Sequence, residues 1–253
     1  MRLSCISCIF LTAMAAVLPI NVSFSDNLNT QKKTAPHNDS NTLVLPVLDD
    51  SPDIRIAVNI LTEAYRRIGY RLKLQKMTPA QALKASNSGK IDGELVRIDG
   101  IDALYRNLIK IDVPISYLEA SALAQKHYEV SKGWHSIMKY KLGVLKGALF
   151  SDIRTMGAER VEADSFGELL KMLEKDEVEV ALLPRLTAEA ELKKYPDSKI
   201  RILKPYLEII LLYHYLNRRH AGIAEKITRV LKTMLIDGTV AEIREATLAK
   251  TKE

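Results

Sequence analysis

Arg97, Lys146-Gly147-Ala148 and Pro184-Arg185 each stand where a short apolar run stops, and Asp49-Asp50 follows another such run. A guanidinium presents a planar fork of donors that matches a carboxylate or phosphate. A glycine turn opening into a helix offers backbone N–H groups and the positive end of the helix dipole to the same kind of ligand. Three of these four positions therefore point to a small anionic solute. Each also has a purely structural reading. Arg97 can pair with Glu94 or Asp99, Arg185 can be an exposed residue at a helix start, and Gly147 can serve only its turn. Tyr117 and Trp134 pack in the core or a hinge, or line a cleft.

Catalytic signals are weak by comparison. The chain contains no G-x-S-x-G, H-E-x-x-H, P-loop or G-x-G-x-x-G motif. His214 and His220 are too far apart for one helical face at metal-ligand spacing, and no cysteine joins them; His37, His127 and His135 are isolated. No catalytic residue, metal or cofactor is assigned. Arg106 falls in a predicted helix, where solvation is the default.

The elements that must position these residues alternate between strand and helix. Leu43–Leu48 reads as a buried strand, Ile54–Ile68 as an amphipathic helix closed by Gly69, and Tyr70–Leu74 as a strand. Thr78-Pro79 opens a helix that stops at Ser88-Gly89, and Gly93–Ile98 is the next strand. After an extended crossover at Tyr117–Gln125 the pattern resumes. Strands are predicted at Lys141–Leu145, Arg160–Ala163, Val178–Leu183 and Lys199–Leu203. Helices are predicted at Ala148–Met156, Phe166–Glu174 behind a Ser165 cap, and from a Thr187 cap to Tyr195. Leu207–Tyr215 crosses back, and two helices, Ile223–Leu235 and Val240–Ala246, end the chain. Such alternation predicts parallel α/β architecture, with the ligand beyond the carboxyl ends of the strands. Its division near residue 120 predicts two lobes joined by a double hinge: 42–119 with 213–253, and 120–212.

Composition fits an exported globular protein. Apolar residues make up 47% and charged residues 27%, and the formal net charge is +6. Arg2 followed by an apolar run from Ile6 to Ile20, with Ser23 and Ser25 before Asp26, has the layout of a cleavable secretory signal over residues 1–25; an uncleaved membrane anchor is the alternative. Residues 26–41 read as a polar, disordered leader. Both cysteines, Cys5 and Cys8, lie in the signal, so the mature chain has no thiol chemistry. Basic and acidic residues are interspersed and aromatics are only 6%, which argues against nucleic acid as a partner.

Several pieces together resemble the family 3 periplasmic solute-binding proteins. They are Gly89-Lys90-Ile91-Asp92-Gly93, Arg106 leading to Val113-Pro114, Lys141–Gly147, Val178–Leu183 and Asp237-Gly238-Thr239. The resemblance spans about Leu43 to Ala246 and is to a divergent branch of that family. It implies the type II periplasmic binding protein fold, a small-molecule ligand, no enzymatic activity, a monomer, and a membrane transporter or sensor kinase as partner in the periplasm. Arg106 stands near the family's arginine for a ligand carboxylate, so Arg97, Arg106, Tyr117, Gly147 and Arg185 form the expected ligand-binding set. Two departures matter. Ala148 replaces the threonine usual beside the glycine turn, and Pro184-Arg185 replaces the acid that usually holds an α-ammonium group. A standard α-amino acid bound in the usual way is therefore not expected. Other readings are an enzyme on the same fold, such as a small dehydratase or lyase, and a non-binding interaction module.

Overall fold

The computed structural model describes residues 41–250. The expected signal segment, its cysteines, His37 and the leader up to residue 40 lie outside the described residues. The elements run in the order β1 (Thr42–Val47), α1 (Pro52–Arg67), β2 (Arg71–Lys76), α2 (Pro79–Ser88), β3 (Gly93–Arg97), α3 (Ile101–Leu104) and β4 (Leu108–Ala124). There follow α4 (Trp134–Ile137), β5 (Leu142–Leu145), α5 (Leu149–Arg154), β6 (Arg160–Ala163), α6 (Phe166–Glu174), β7 (Val180–Pro184) and α7 (Arg185–Leu192). The chain ends with β8 (Arg201–Ile202), β9 (Glu208–Asn217), a 3-10 turn at Arg218–His220, α8 (Ala221–Ile236) and α9 (Thr239–Ala249).

Local chemistry explains the helix starts. Thr78 and Gln81 form a capping box with Pro79 in the first turn of α2, Ser51 accepts from the Ile54 amide at α1, and Ser165 accepts from the Glu168 amide at α6. Three expectations are corrected. Arg106 is not helical: α3 stops at Leu104, and Arg106 lies in the turn that leads into β4. Thr187 is not a cap, because α7 begins directly at Arg185 and the Thr187 hydroxyl is engaged elsewhere. The strand ending at Pro114 and the crossover at Tyr117–Gln125 are one 17-residue strand, β4. Pro114 has no N–H to donate, so the ladder to β9 shifts register around it while the strand continues.

The sheets are mixed rather than wholly parallel. β1 and β2 pair in parallel. The seven-stranded sheet has the order β3-β9-β4-β7-β5-β6, with β8 also pairing β4. β5 is parallel to β6 and β7, whereas β3–β9, β9–β4 and β4–β7 are antiparallel. The long strands explain the mixture. The first residues of β4 and the last of β9 lie near β3, while Ala120–Ala124 pair β7 and β8. The chain thus crosses between two groups of elements once in each direction.

Asp92, in the glycine-flanked motif, ties these groups of strands to their surroundings. Its carboxylate accepts from the Val44 amide at 2.6 Å, its own amide donates to the Val44 carbonyl, and Arg219 and His220 both reach its other oxygen. Burial opposes the ionised form, but these hydrogen bonds outweigh it and hold the carboxyl below the usual carboxylate range. Gly93 follows because a Cβ there would stand 2.1 Å from the Tyr215 carbonyl oxygen. The core beneath is apolar, with Leu45, Ile56, Ile60, Leu61 and Ile115 at most 1% exposed. Burying each such side chain is worth about 1.5–3 kcal/mol. His214 is buried within it, between the Tyr65 hydroxyl at 2.7 Å and the Glu94 carbonyl at 2.7 Å, and burial pushes its pKa down to about 4.

Candidate functional site

A cavity of about 590 Å³ lies where the loops after β1, β2 and β3 face those after β5, β6 and β7. This is the position in which open α/β sheets bind ligands. From the first group come Asp49, Asp50 and Asp53 at the start of α1, Lys76 and Thr78 after β2, and Arg97 at the end of β3. From the second come Lys146 and Gly147 after β5, Asp164 and Ser165 after β6, and Pro184 and Thr187 at β7–α7. Leu118 of β4 and Leu212 of β9 form part of the wall, and Phe150, Phe166 and Met77 add apolar surface.

The charges are more evenly mixed than the arginine pattern suggested. Arg97 lines the cavity, but its Nε donates to Glu94 at 2.8 Å and its Nη2 to the Pro79 carbonyl at 3.2 Å. Arg97 is 7% and Glu94 1% exposed, so the surface ion pair weighed above is a buried one. Burial raises the Glu94 pKa, while Arg97 and the Ser86 hydroxyl work to lower it. Lys146 and Asp164 stand 3.9 Å apart on exposed side chains. Asp49 accepts from the Ser51 amide at 2.8 Å, and Lys76 is exposed at the end of β2.

Asp53 and Thr187 meet across the cavity. The Thr187 hydroxyl donates to Asp53 Oδ2 at 3.0 Å, with the two residues 1% and 6% exposed respectively. Burial pushes the Asp53 carboxyl up to about 6, against the hydrogen bond from Thr187 and the charges of Arg244 and Arg185, which lower it. A second close approach is made at Gly147. Its φ is +75°, and a Cβ there would stand 3.2 Å from Pro79 Cβ. Glycine is needed at this turn both for its backbone and for its lack of a side chain.

The five residues expected from sequence are thus divided. Arg97 and Gly147 line the cavity. Arg185 lies just behind it, donating to Glu119 at 2.5 Å and to Glu189 at 2.8 Å. Tyr117 carries the Arg244 guanidinium 4.0 Å over its ring. Arg106 is exposed, and its carbonyl accepts from Arg218. Arg106, Tyr117 and Arg185 are not among the lining residues. Trp134 donates to Glu208 at 2.7 Å and lies near Phe150. The strand-end rule would have found Lys76, Asp164 and Ser165 had it been applied after β2 and β6. Asp53 and Thr187 carry no such signal, because their meeting depends on two helices far apart in sequence. Among the described residues no group of three or more His, Cys, Asp or Glu side chains could hold a metal ion, and no helix is long and apolar enough to cross a membrane.

No protein-family model matches the chain. A protein of Shewanella oneidensis described as uncharacterized is 24% identical over 187 residues, spanning 71% of this chain and 70% of that one. Among solved structures, an ancestral arginine-binding protein bound to arginine superposes with a TM-score of 0.68 at 19% identity, over 81% of this chain and 97% of its own. The GluR0 ligand-binding core in complex with L-glutamate gives 0.70 at 13% identity, over 82% and 98%. An amino acid ABC transporter substrate-binding protein from Streptococcus pneumoniae bound to L-arginine gives 0.65 at 16% identity, over 85% and 97%. The chain has the two-lobed α/β fold of the type II periplasmic binding proteins.

Proposed function

We propose that the protein is a periplasmic solute-binding protein that captures a small organic solute between its lobes and presents it to a membrane transporter or sensor. The observation that carries this reading is the cavity of about 590 Å³ walled by strand-end loops from both sides of the fold, a volume suited to a small molecule. The lobes would be 42–119 with 213–253, and 120–212, hinged on β4 and β9. Export through the N-terminal signal and action as a monomer belong to the same proposal. The similar proteins that bind arginine or glutamate support an amino-acid-like solute.

The solute we infer carries an anionic group, as the sequence suggested, but not that group alone. Lys76, Lys146 and the Gly147 turn would face its anionic end. Arg97 would contribute a N–H edge whose charge Glu94 already balances. Asp49 and Asp164 supply the opposite sign on the same cavity, and Phe150 and Phe166 would take up an apolar body. A zwitterion matches this lining better than a bare dicarboxylate. A thermal-shift screen against amino acids, betaines, dicarboxylates and polyamines tests it, since a ligand well above its Kd raises Tm by mass action. A zwitterion should give the largest shift. Equal silence from every class would remove the solute-binding reading.

Asp53 gives an enzyme reading a specific foothold: a carboxyl on the cavity wall pushed up to about 6 is suited to general acid–base work, as in a small dehydratase or lyase. Turnover of the compound that shifts Tm, lost in Asp53→Asn, would decide for it. The interaction-module reading fits least, because an open cavity with charged residues on both sides is not a packed seam.

A further inference from the structure

We propose that the hydrogen bond between Thr187 and Asp53 is the latch by which the two lobes close, and that closure takes up a proton at Asp53, so that mild acid favours the closed form. The proposal adds a conformational control to the solute-binding reading and can be tested without a solute.

Asp53 lies in the first turn of α1 and Thr187 in the first turn of α7, on opposite sides of the cavity. Their side chains make a direct hydrogen bond at 3.0 Å with almost no exposure to water. The bond holds the first turn of α7 against the first turn of α1, so separating the lobes would break it and open the Asp53 carboxyl to solvent. The turn at Gly147 resting on Pro79 is the other approach of the same two sides. Thr187 departs from the role its sequence position suggested, since it caps no helix and spends its hydroxyl on the opposite wall.

Closing therefore removes a carboxylate from water in exchange for one neutral hydroxyl donor. Desolvation disfavours the charged form, and one hydrogen bond does not restore what water supplied. The surrounding charges do not reverse this. Asp49, on the loop before α1, opposes ionisation of Asp53. Arg244 on α9 and Arg185 on α7 favour it, but Arg185 is committed to Glu119 on β4 and Glu189, and Arg244 is stacked on Tyr117. Lys76 at the end of β2 and Arg97 on β3 line the same cavity, the latter matched by Glu94. The sign follows. A carboxyl near 6 in the closed form and near its ordinary 3.8 when exposed favours closure below 3.8. That advantage is lost progressively as the pH rises to about 6, and the open-to-closed ratio changes by about 100-fold across the interval.

The test places spin labels on cysteines introduced at Lys84 of α2 and Lys171 of α6, both exposed, in the full chain with Cys5 and Cys8 replaced by serine. Inter-label distances are measured at pH 5 and pH 8 without solute. The wild type should show a larger short-distance population at pH 5. Asp53→Asn, which keeps the shape and the Thr187 partner without a titrating group, should show the short distance at both values. Thr187→Val should shift the population to the long distance relative to wild type, most strongly at pH 8, because the ionised carboxylate loses its donor. A wild-type distribution that does not change with pH, an Asp53→Asn protein that keeps the wild-type response, or a Thr187→Val protein identical to wild type would each overturn the latch. Because no ligand enters, failure here leaves the thermal-shift test of solute binding untouched, and the reverse also holds.

Discussion

Removing Arg97 should unfold more than it should unbind. Arg97 and Glu94 are 7% and 1% exposed and meet at 2.8 Å. Arg97→Ala strips the counter-charge from a carboxylate that keeps only the Ser86 hydroxyl as a side-chain donor, with the Arg97 stem's packing lost as well. Breaking one side of a buried ion pair costs about 3–5 kcal/mol, most of it from the orphaned charge. That is a large part of the stability of a domain of this size. The measurement is urea unfolding, with the midpoint and slope giving the free-energy change. Two controls separate charge from packing. Replacing both partners, as Glu94→Gln with Arg97→Met, should recover at least about 2 kcal/mol relative to Arg97→Ala, because no buried charge remains. The deficit of Arg97→Ala should also shrink on acidification. Burial already raises the Glu94 pKa, and loss of Arg97 raises it further. A raised folded-state pKa contributes stability that is present at low pH and lost as pH rises. A cost below about 1 kcal/mol for Arg97→Ala, or a double variant no better than the single one, would refute the buried-pair account. It would also restore Arg97 as a free ligand-binding charge.

Other expectations follow from the same geometry. Gly147→Ala should weaken solute binding, because the +75° backbone and the 3.2 Å approach to Pro79 both resist a Cβ; calorimetric titration should show at least about a fivefold loss, given a strain of about 1 kcal/mol or more. Asp92→Ala should cost about 2–4 kcal/mol by urea unfolding, since it removes the acceptor of the Val44 amide, Arg219 and His220 together. His214 is held near 4 by burial against about 6.5 when unfolded, so its contribution is full above 6.5 and is lost as pH falls towards 4. That amounts to about 3 kcal/mol, and His214→Gln should flatten the stability profile between those values.

Much of the fold was legible because its signals are local. Ser165, Thr78-Pro79 and Gly89 mark helix ends by chemistry that acts within four residues, and apolar spacing located α1, α6 and α8. The joining of β4 was not legible, because Pro114 reads locally as a strand end. Only the β9 partner, arriving a hundred residues later, shows that the strand continues through it. The mixed sheet was missed for the same reason: strand–helix alternation gives the succession of elements, not the direction in which β9 returns.

The site divides along a similar line, and the division bears on how an arginine should be read. Arg97 and Gly147, singled out by their strand-end position, line the cavity, because topology fixes where a strand's carboxyl end lies. It could not say whether the charge arrives free. Glu94 is three residues before Arg97 on the same strand, where alternation would send the two side chains to opposite faces. The register irregularity between Glu94 and Arg97 in the β3–β9 pairing accompanies their meeting. Arg185 is likewise bound to Glu119, a residue of β4 that no local pattern places beside it. Two of the cations behind the expected anion-binding cleft therefore arrive already paired. The cavity's charge is left to Lys76, Lys146 and the aspartates, and the proposed pH response to Asp53, whose partner is visible only once α1 and α7 face each other.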